Sequence, residues 1–226
     1  MTYKLYIGDR TFSSWSLRGW LMLEKFGLDF NTHLIGLYGG TMAADMAHLA
    51  PAKLVPTLQT ADGTVIGESL AIAETLAENH PDKNMWPTDA AARATARWLC
   101  AEMASSFGQL RGQCAMQLQH VNKGFVVDEG LQSDLDRLET LWAHAAKFKS
   151  NGPWLFGTYS LADCMFAPAA ARIIGYDLPV SDAARAYCDT TINDPTFKKW
   201  RTEGLRTTYD PFPYEMGVPT TPWPVS

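Results

Sequence analysis

The sequence is poor in the features that would place it in several large classes. Cysteine occurs four times in 226 residues, at Cys100, Cys114, Cys164 and Cys188, with no CxxC and no zinc-ligand spacing. That pattern excludes a disulfide-built scaffold and reads as reduced thiols in a reducing compartment. The five histidines (His33, His48, His80, His120, His144) are scattered without an HxH or HxxxH pair, so no metal site is expected. Basic residues do not exceed acidic ones: the net charge is −5, which argues against a non-specific nucleic-acid binder and its basic footprint. No apolar run approaches the ~20 residues of a membrane-spanning helix. Neither an Arg-rich leader nor an apolar h-region opens the chain. The expectation is a soluble, cytoplasmic protein with no metal, nucleic-acid or membrane partner.

What is present is ordinary globular material. Hydrophobic residues make up 46% and charged residues 19%, enough apolar content to bury a substantial core. The length suits one large domain or two modest ones. In the first eighty residues strand and helix signals alternate. Tyr3 to Ile7 is a β-prone run stopped by Gly8-Asp9. Ser16 to Phe26 carries helical apolar spacing, with Gly27 at the stop position. Phe30 to Leu34 reads as a second strand, and residues 41–49 as a short helix ended by Pro51. Val55 to Thr60 and Thr64 to Ile66 flank Asp62-Gly63, a hairpin signal, and Ser69 to Asn79 is a helix. The order β-α-β-α-β-β-α describes a small α/β sheet domain over residues 1–80.

Beyond a linker at 81–88, which carries Trp86-Pro87, the pattern turns helical through residues 89–226. Asp89 is a candidate N-cap for a long helix running past Met103. Leu131, Leu135, Leu138, Trp142 and Ala145 recur at spacings of four and three. Ser160-Leu161-Ala162-Asp163 opens another helix, and Asp194-Pro195 a short last one. No strand is expected after residue 80. The Pro- and aromatic-rich tail from Asp210 is expected to lie extended on the surface, since Pro is excluded from helix interiors and central strands.

Three segments carry chemistry. Phe12-Ser13-Ser14-Trp15-Ser16-Leu17-Arg18 joins the first strand to the first helix. A helix N-terminus offers free N–H groups and partial positive charge, and a hydroxyl there can donate to a thiolate. In Leu49-Ala50-Pro51-Ala52-Lys53-Leu54-Val55-Pro56-Thr57-Leu58, the Val55-Pro56 bond is a candidate cis peptide. A kink there would free the Val55 backbone to pair with an added peptide strand. Glu68-Ser69 stands at a strand-to-helix junction, where Ser69 as N-cap would meet a carboxylate and Glu68 an ammonium. Each segment also has an ordinary explanation, as a helix cap or a trans proline.

Taken in this order and at these separations, the segments resemble the glutathione transferase family over nearly the whole chain. Pro51 to Leu58 is similar to that family's cis-proline segment, Glu68-Ser69 to its γ-glutamyl-binding pair, and Ser160 to Asp163 to the capping box of its helical domain, a folding element. The resemblance implies a thioredoxin-like glutathione-binding domain, an all-helical second domain, glutathione as co-substrate without a metal, and a homodimer. Within the family, Ser13 to Arg18 is similar to the Ser-Ser-Cys-Ser-Trp-Arg signature of the zeta class, which includes maleylacetoacetate isomerases. Trp15 replaces the signature cysteine, and Leu54 stands where many relatives carry Gln. The resemblance implies Ser13 as the thiol-activating residue with Ser14 as the alternative. It implies Lys53, Val55, Pro56, Glu68 and Ser69 as glutathione contacts. Trp15, Met103, Phe107 and Arg111 are candidates to line the site of a small hydrophobic electrophile; Met103 and Phe107 also fit a buried helix face. The alternatives within the fold are a glutathione-dependent isomerase, peroxidase or ether-cleaving enzyme, or a non-catalytic glutathione-binding module.

Overall fold

The computed structural model describes residues 2–206 and 216–224. Strand β1 (Tyr3–Ile7) is the spine of a four-stranded sheet, and alternation along it separates two faces. Tyr3, Leu5 and Ile7 are buried on one side with the helices α1 (Ser14–Glu24) and α3 (Ser69–Asn79). Tyr6 turns to the other side, into a smaller cluster with Ile35, Met46 and Leu49 beneath the short helix α2 (Met42–Met46). Strand β2 (Phe30–Leu34) runs parallel to β1; β3 (Thr57–Gln59) pairs with β1 antiparallel, and β4 (Val65–Ile66) with β3, giving the order β2-β1-β3-β4. The expected β-α-β-α-β-β-α succession is realised. Two ends differ from the sequence reading: α1 starts at Ser14, because Ser13 caps it, and β3 starts only at Thr57, after the proline kink.

The second part is helical: α4 (Ala90–Ser105), α5 (Gly108–Gln113), α6 (Glu129–Ala145), α7 (Leu161–Gly175), α8 (Asp182–Asn193) and α9 (Pro195–Gly204). Every residue of α7 is buried, as expected of a helix whose residues are apolar on every side apart from Asp163 and Arg172 near its ends. It packs against α1, α4 and α8. Each fully buried Leu or Phe side chain there is worth roughly 1.5–3 kcal/mol in area removed from water. Lys25, at the C-terminus of α1, pairs with Asp194, the N-cap of α9. Its ammonium also lies over the rings of Trp154 and Tyr159, at 5.4 and 4.5 Å from their centroids. Trp20 of α1 meets Trp200 of α9 at 5.3 Å. These contacts hold the sheet part and the helical part as one packed body, with the loop before α1 and the helices α5 and α7 brought close together.

Two expectations fail. Strands do follow residue 80: β5 (His120–Asn122) pairs antiparallel with β6 (Thr220–Pro222). The tail is also not simply laid on the surface. Trp223 is buried against Gly175 at the end of α7, with the Arg201 guanidinium over its ring. The apolar surface of an indole outweighs the local preference of its proline neighbours for an exposed coil. Residues 210–215 of that tail lie outside the described residues.

Candidate active site

The loop after β1 turns back at Asp9, whose carbonyl accepts from the Ser13 N–H at 2.8 Å. Ser13 then caps α1 with an extended backbone, and its Oγ accepts from the Ser16 N–H at 3.3 Å. The Ser13 carbonyl takes the Leu17 N–H. The N–H groups of Ser14 and Trp15 are left over for an anion. Ser13 Oγ donates to Ser16 Oγ at 2.7 Å, and Ser16 Oγ accepts from the Gly8 N–H at 2.9 Å. A bond between two hydroxyls can run either way. When Ser16 donates to Ser13, the Ser13 proton is free to point into the cleft.

The second wall is the Val55-Pro56 bond, which is cis, as is Ala50-Pro51. Val55 precedes β3, so its N–H and C=O enter none of the sheet ladders. The Pro56 ring lies so close to α1 that a Cβ on Gly19 would stand 2.7 Å from the Pro56 Cβ. The glycine inside that helix permits the approach. The third wall is the start of α3. Ser69 was expected to cap this helix; instead Glu68 holds the cap position with φ +63° and no side-chain cap, and Ser69 is the first helical residue. A non-glycine residue at positive φ is a strained position of the kind that collects at ligand sites. Here it leaves the first N–H groups of α3 uncapped.

These walls enclose a cavity of about 390 Å³ lined by Ser13, Ser14, Trp15, Leu54, Val55, Pro56, Glu68 and Ser69, with Phe12, Leu37, Tyr38 and Met42 completing it. A contiguous cavity of about 430 Å³ shares Leu54 and Glu68 and adds Lys53, Val65 and Gly67. The three segments singled out in the sequence therefore meet. Lys53 is exposed on the rim. Of the electrophile-site candidates, Trp15 lines the cavity, and the Arg111 guanidinium lies 5.9 Å from its ring centroid. Met103 and Phe107 do not reach it: at 1% and 3% exposure they belong to the helical core. Met103 contributes only its carbonyl, which accepts from Arg111 Nη1 at 3.1 Å.

Two residues beside the cavity were missed in the sequence. Arg18 is fully buried, its guanidinium carbon 4.1 Å from the Trp15 ring centroid and its Nε donating to the Met165 carbonyl at 2.9 Å. Burial first, then the neighbouring Arg172 and Arg111, lower its pKa to about 9. Arg172 donates from Nη2 to Ser14 Oγ at 3.4 Å and from Nε to the Cys114 carbonyl at 2.8 Å. The available signal was an arginine one turn after Ser14 on an apolar helix face, and another in a helix that is otherwise almost uncharged. All four thiols are buried and unpaired. Burial pushes Cys114, the one nearest Arg172, up to about 12, so none is poised as a nucleophile. Among the described residues no group of three His, Cys, Asp or Glu side chains could hold a metal ion, and no helix is long and apolar enough to cross a membrane.

Residues 12–79 match the family model described as the glutathione S-transferase N-terminal domain. The maleylacetoacetate isomerase of Rattus norvegicus is 30% identical over 182 residues, spanning 78% of this chain and 81% of its own length. The chain belongs to the glutathione transferase family. Against the maleylacetoacetate isomerase of Dictyostelium discoideum this transferase-family chain is 34% identical over 108 residues, and it spans only about half of that relative, 49%. A glutathione transferase homolog from Burkholderia, solved with bound glutathione, superposes with a TM-score of 0.67 at 24% identity, covering 92% of this chain and 100% of that one. A homolog from Lodderomyces elongisporus, solved with two glutathione molecules per subunit, gives 0.67 at 18% identity over 90% and 99%. These neighbours share the transferase fold, a thioredoxin-like sheet domain followed by a helical one.

Proposed function

We propose that this protein is a glutathione transferase of the serine type, which binds glutathione in the cleft, holds its sulfur as thiolate beside Ser13, and presents it to a small electrophile near Trp15. The observation that carries the reading is the meeting of three donor sets in one cleft: the capped but incompletely satisfied start of α1, the kinked Val55 backbone, and the uncapped start of α3. They match the thiol, the cysteinyl backbone and the γ-glutamyl end of γ-glutamyl-cysteinyl-glycine. The α-carboxylate meets the N–H groups of α3 and its ammonium meets Glu68. The cysteinyl amide pairs with Val55 as an added strand, and Lys53 reaches the glycyl carboxylate from the rim.

Ser13 then donates to the sulfur, while Ser16, anchored by the Gly8 N–H, donates to Ser13 in turn. A hydrogen bond to a charged acceptor is worth ~1.5–3 kcal/mol, or roughly one to two pKa units. That is enough to populate the thiolate near neutral pH from a free thiol near 8.5. Ser14 is the alternative donor. Activation and proximity together lower the barrier to attack. Homodimerisation and a cytoplasmic location follow from the family resemblance, and neither nucleic acid nor membrane has a part in this function.

A second reading, glutathione-dependent isomerisation of a carboxylate-bearing substrate, is favoured by the arginines around Trp15 and by the relatives named as maleylacetoacetate isomerases. Trp15 in place of cysteine speaks against any version that needs a protein thiol. The deciding experiment is the ultraviolet absorbance of the bound thiolate against pH, wild type beside Ser13→Ala and Ser14→Ala. A thiol pKa below its solution value, restored by Ser13→Ala alone, is expected. Tight binding with an unshifted thiol pKa in the wild type would leave a non-catalytic glutathione-binding module.

A further inference from the structure

A further cavity, of about 330 Å³, lies between α6, α8 and the loop over residues 149–155. It shares no residue with the cleft beside Ser13. Glu139 and Trp142 face it from α6, and Ala183, Ala186 and Tyr187 from α8. Spacings of three and four put each set on one side of its helix. The loop adds Lys149 and Trp154. The floor is aromatic: the Trp142 and Tyr187 rings meet edge to face with centroids 4.7 Å apart. Apolar walls with a few polar groups are the usual make-up of a small-molecule site.

The walls are fixed in place. Asp163 ties two of them together, its carboxylate accepting from the Leu155 N–H at 3.1 Å and from the Tyr187 hydroxyl at 3.2 Å. The loop also closes on itself, Trp154 and Gly157 exchanging N–H···O bonds at 3.3 and 3.0 Å. A Cβ on Gly152 would stand 2.2 Å from the Gly157 carbonyl oxygen, so the turn is as tight as glycine allows. A preformed site spares a ligand the cost of ordering it.

The polar groups around the cavity are unevenly satisfied. Glu139 accepts the Ser181 N–H at 2.8 Å, and the Thr190 hydroxyl donates to the Ala186 carbonyl at 2.9 Å. Trp142 is 7% exposed, and its indole Nε1 is buried with no hydrogen-bond partner among the described residues. The exposed Lys149 ammonium has no ion-pair partner among them either. The unmatched groups are thus both donors, one of them charged. A buried donor left without an acceptor is costly, and the complement of this wall is an acceptor that carries negative charge.

We propose that this cavity is a second binding site, for a small planar aromatic carboxylate. Its ring lies against Trp142 and Tyr187, and its charge is met by Lys149. The volume stands near the lower end for small-molecule pockets, which suits one or two fused rings. The site does not depend on the thiolate reading of the cleft.

The test is titration calorimetry of the full chain with 2-naphthoate and with its neutral counterpart 2-naphthylmethanol. Excess S-methylglutathione is present to occupy the cleft beside Ser13. Wild type is compared with Ala186→Phe, which fills the cavity, and Lys149→Gln, which removes the charge. Both positions are exposed, and thermal melting shows that each variant is folded. Wild type is expected to bind one naphthoate with a dissociation constant at or below ~1 mM. Ala186→Phe should weaken this at least about tenfold. Lys149→Gln should weaken it about threefold, as befits an exposed ion pair, and the difference should fade at high salt. The alcohol should bind more weakly than the acid and be indifferent to Lys149→Gln. Absence of saturable binding, or naphthoate binding unchanged in Ala186→Phe, would overturn the site. Equal affinity of wild type for acid and alcohol would overturn the assignment of a carboxylate.

Discussion

The same three residues stand where helices α3 and α7 start, Ser69-Leu70-Ala71 and Ser160-Leu161-Ala162, and the fourth residue gives the two starts opposite outcomes. After Ser160 comes Asp163. Its carboxylate accepts from the Ser160 N–H at 2.8 Å and Ser160 Oγ at 3.1 Å, and also from the Leu155 N–H and the Tyr187 hydroxyl. A complete capping box results, and the helix start is closed. After Ser69 comes Ile72, fully buried in the core with nothing to return to the helix start. Ser69 slips into the first turn, Glu68 takes the cap position at positive φ, and the end stays open. One serine closes a helix start, and the other leaves one open, as the proposed glutathione site requires. The free donors at a helix start, more than the serine itself, mark where an anion is to be bound.

The largest effect should come from the closed end. Asp163→Ala strips partners from several buried donors at once, and unmet buried donors cost ~1–3 kcal/mol each. A loss of about 4 kcal/mol in urea unfolding is expected, with glutathione affinity of the folded fraction unchanged. A loss below ~1 kcal/mol would show that the box is dispensable.

Next in size is a pH effect at the same carboxyl. Burial raises the Asp163 pKa from 3.8 to about 6, against the pull of its hydrogen bonds. Between these values the folded protein holds a proton that the unfolded chain has released. The contribution of this group to stability is therefore full below about pH 3.8 and is lost as pH rises through about 6. A fall of roughly 3 kcal/mol across that window is expected from a shift of about two units. Urea midpoints at several pH values should show it in the wild type, and Asp163→Asn should abolish it.

The smallest change separates the two serines directly. Ser160→Ala should lower stability by about 1 kcal/mol as a lost cap and leave glutathione binding alone. Ser69→Ala should weaken glutathione binding about tenfold, or ~1.4 kcal/mol, with little change in stability. Calorimetry on both variants checks the pair. Equal effects of the two on binding would dissolve the distinction.

The same contrast explains what the sequence made legible. Strand β1, the Asp62-Gly63 hairpin and the periodic helix α6 were readable because alternation, turn chemistry and apolar spacing are local. The cleft was readable for the same reason, since Ser13, Val55-Pro56 and Glu68-Ser69 are short segments with recognisable local chemistry. Arg18 and Arg172 were not, because their adjacency exists only once α1 packs on α7, with some 150 residues of chain between them. Met103 and Phe107 showed the spacing of a buried face, and burial is where they ended. The position of Ser69 turned on the absence of an acid at residue 72, and absences are hard to weigh without the competing structure in view. Strands β5 and β6, three residues each, carry too short a pattern to announce themselves.

That last pair has a kinetic meaning. Joining His120–Asn122 to Thr220–Pro222 closes a loop of roughly a hundred residues, so the chain entropy is spent before the contact returns anything. Such distant pairings slow folding relative to helix turns and neighbouring strands. The ribbon and the indole of Trp223 seated on Gly175 should therefore assemble late, onto an α7 already in place, and open early when the molecule begins to come apart.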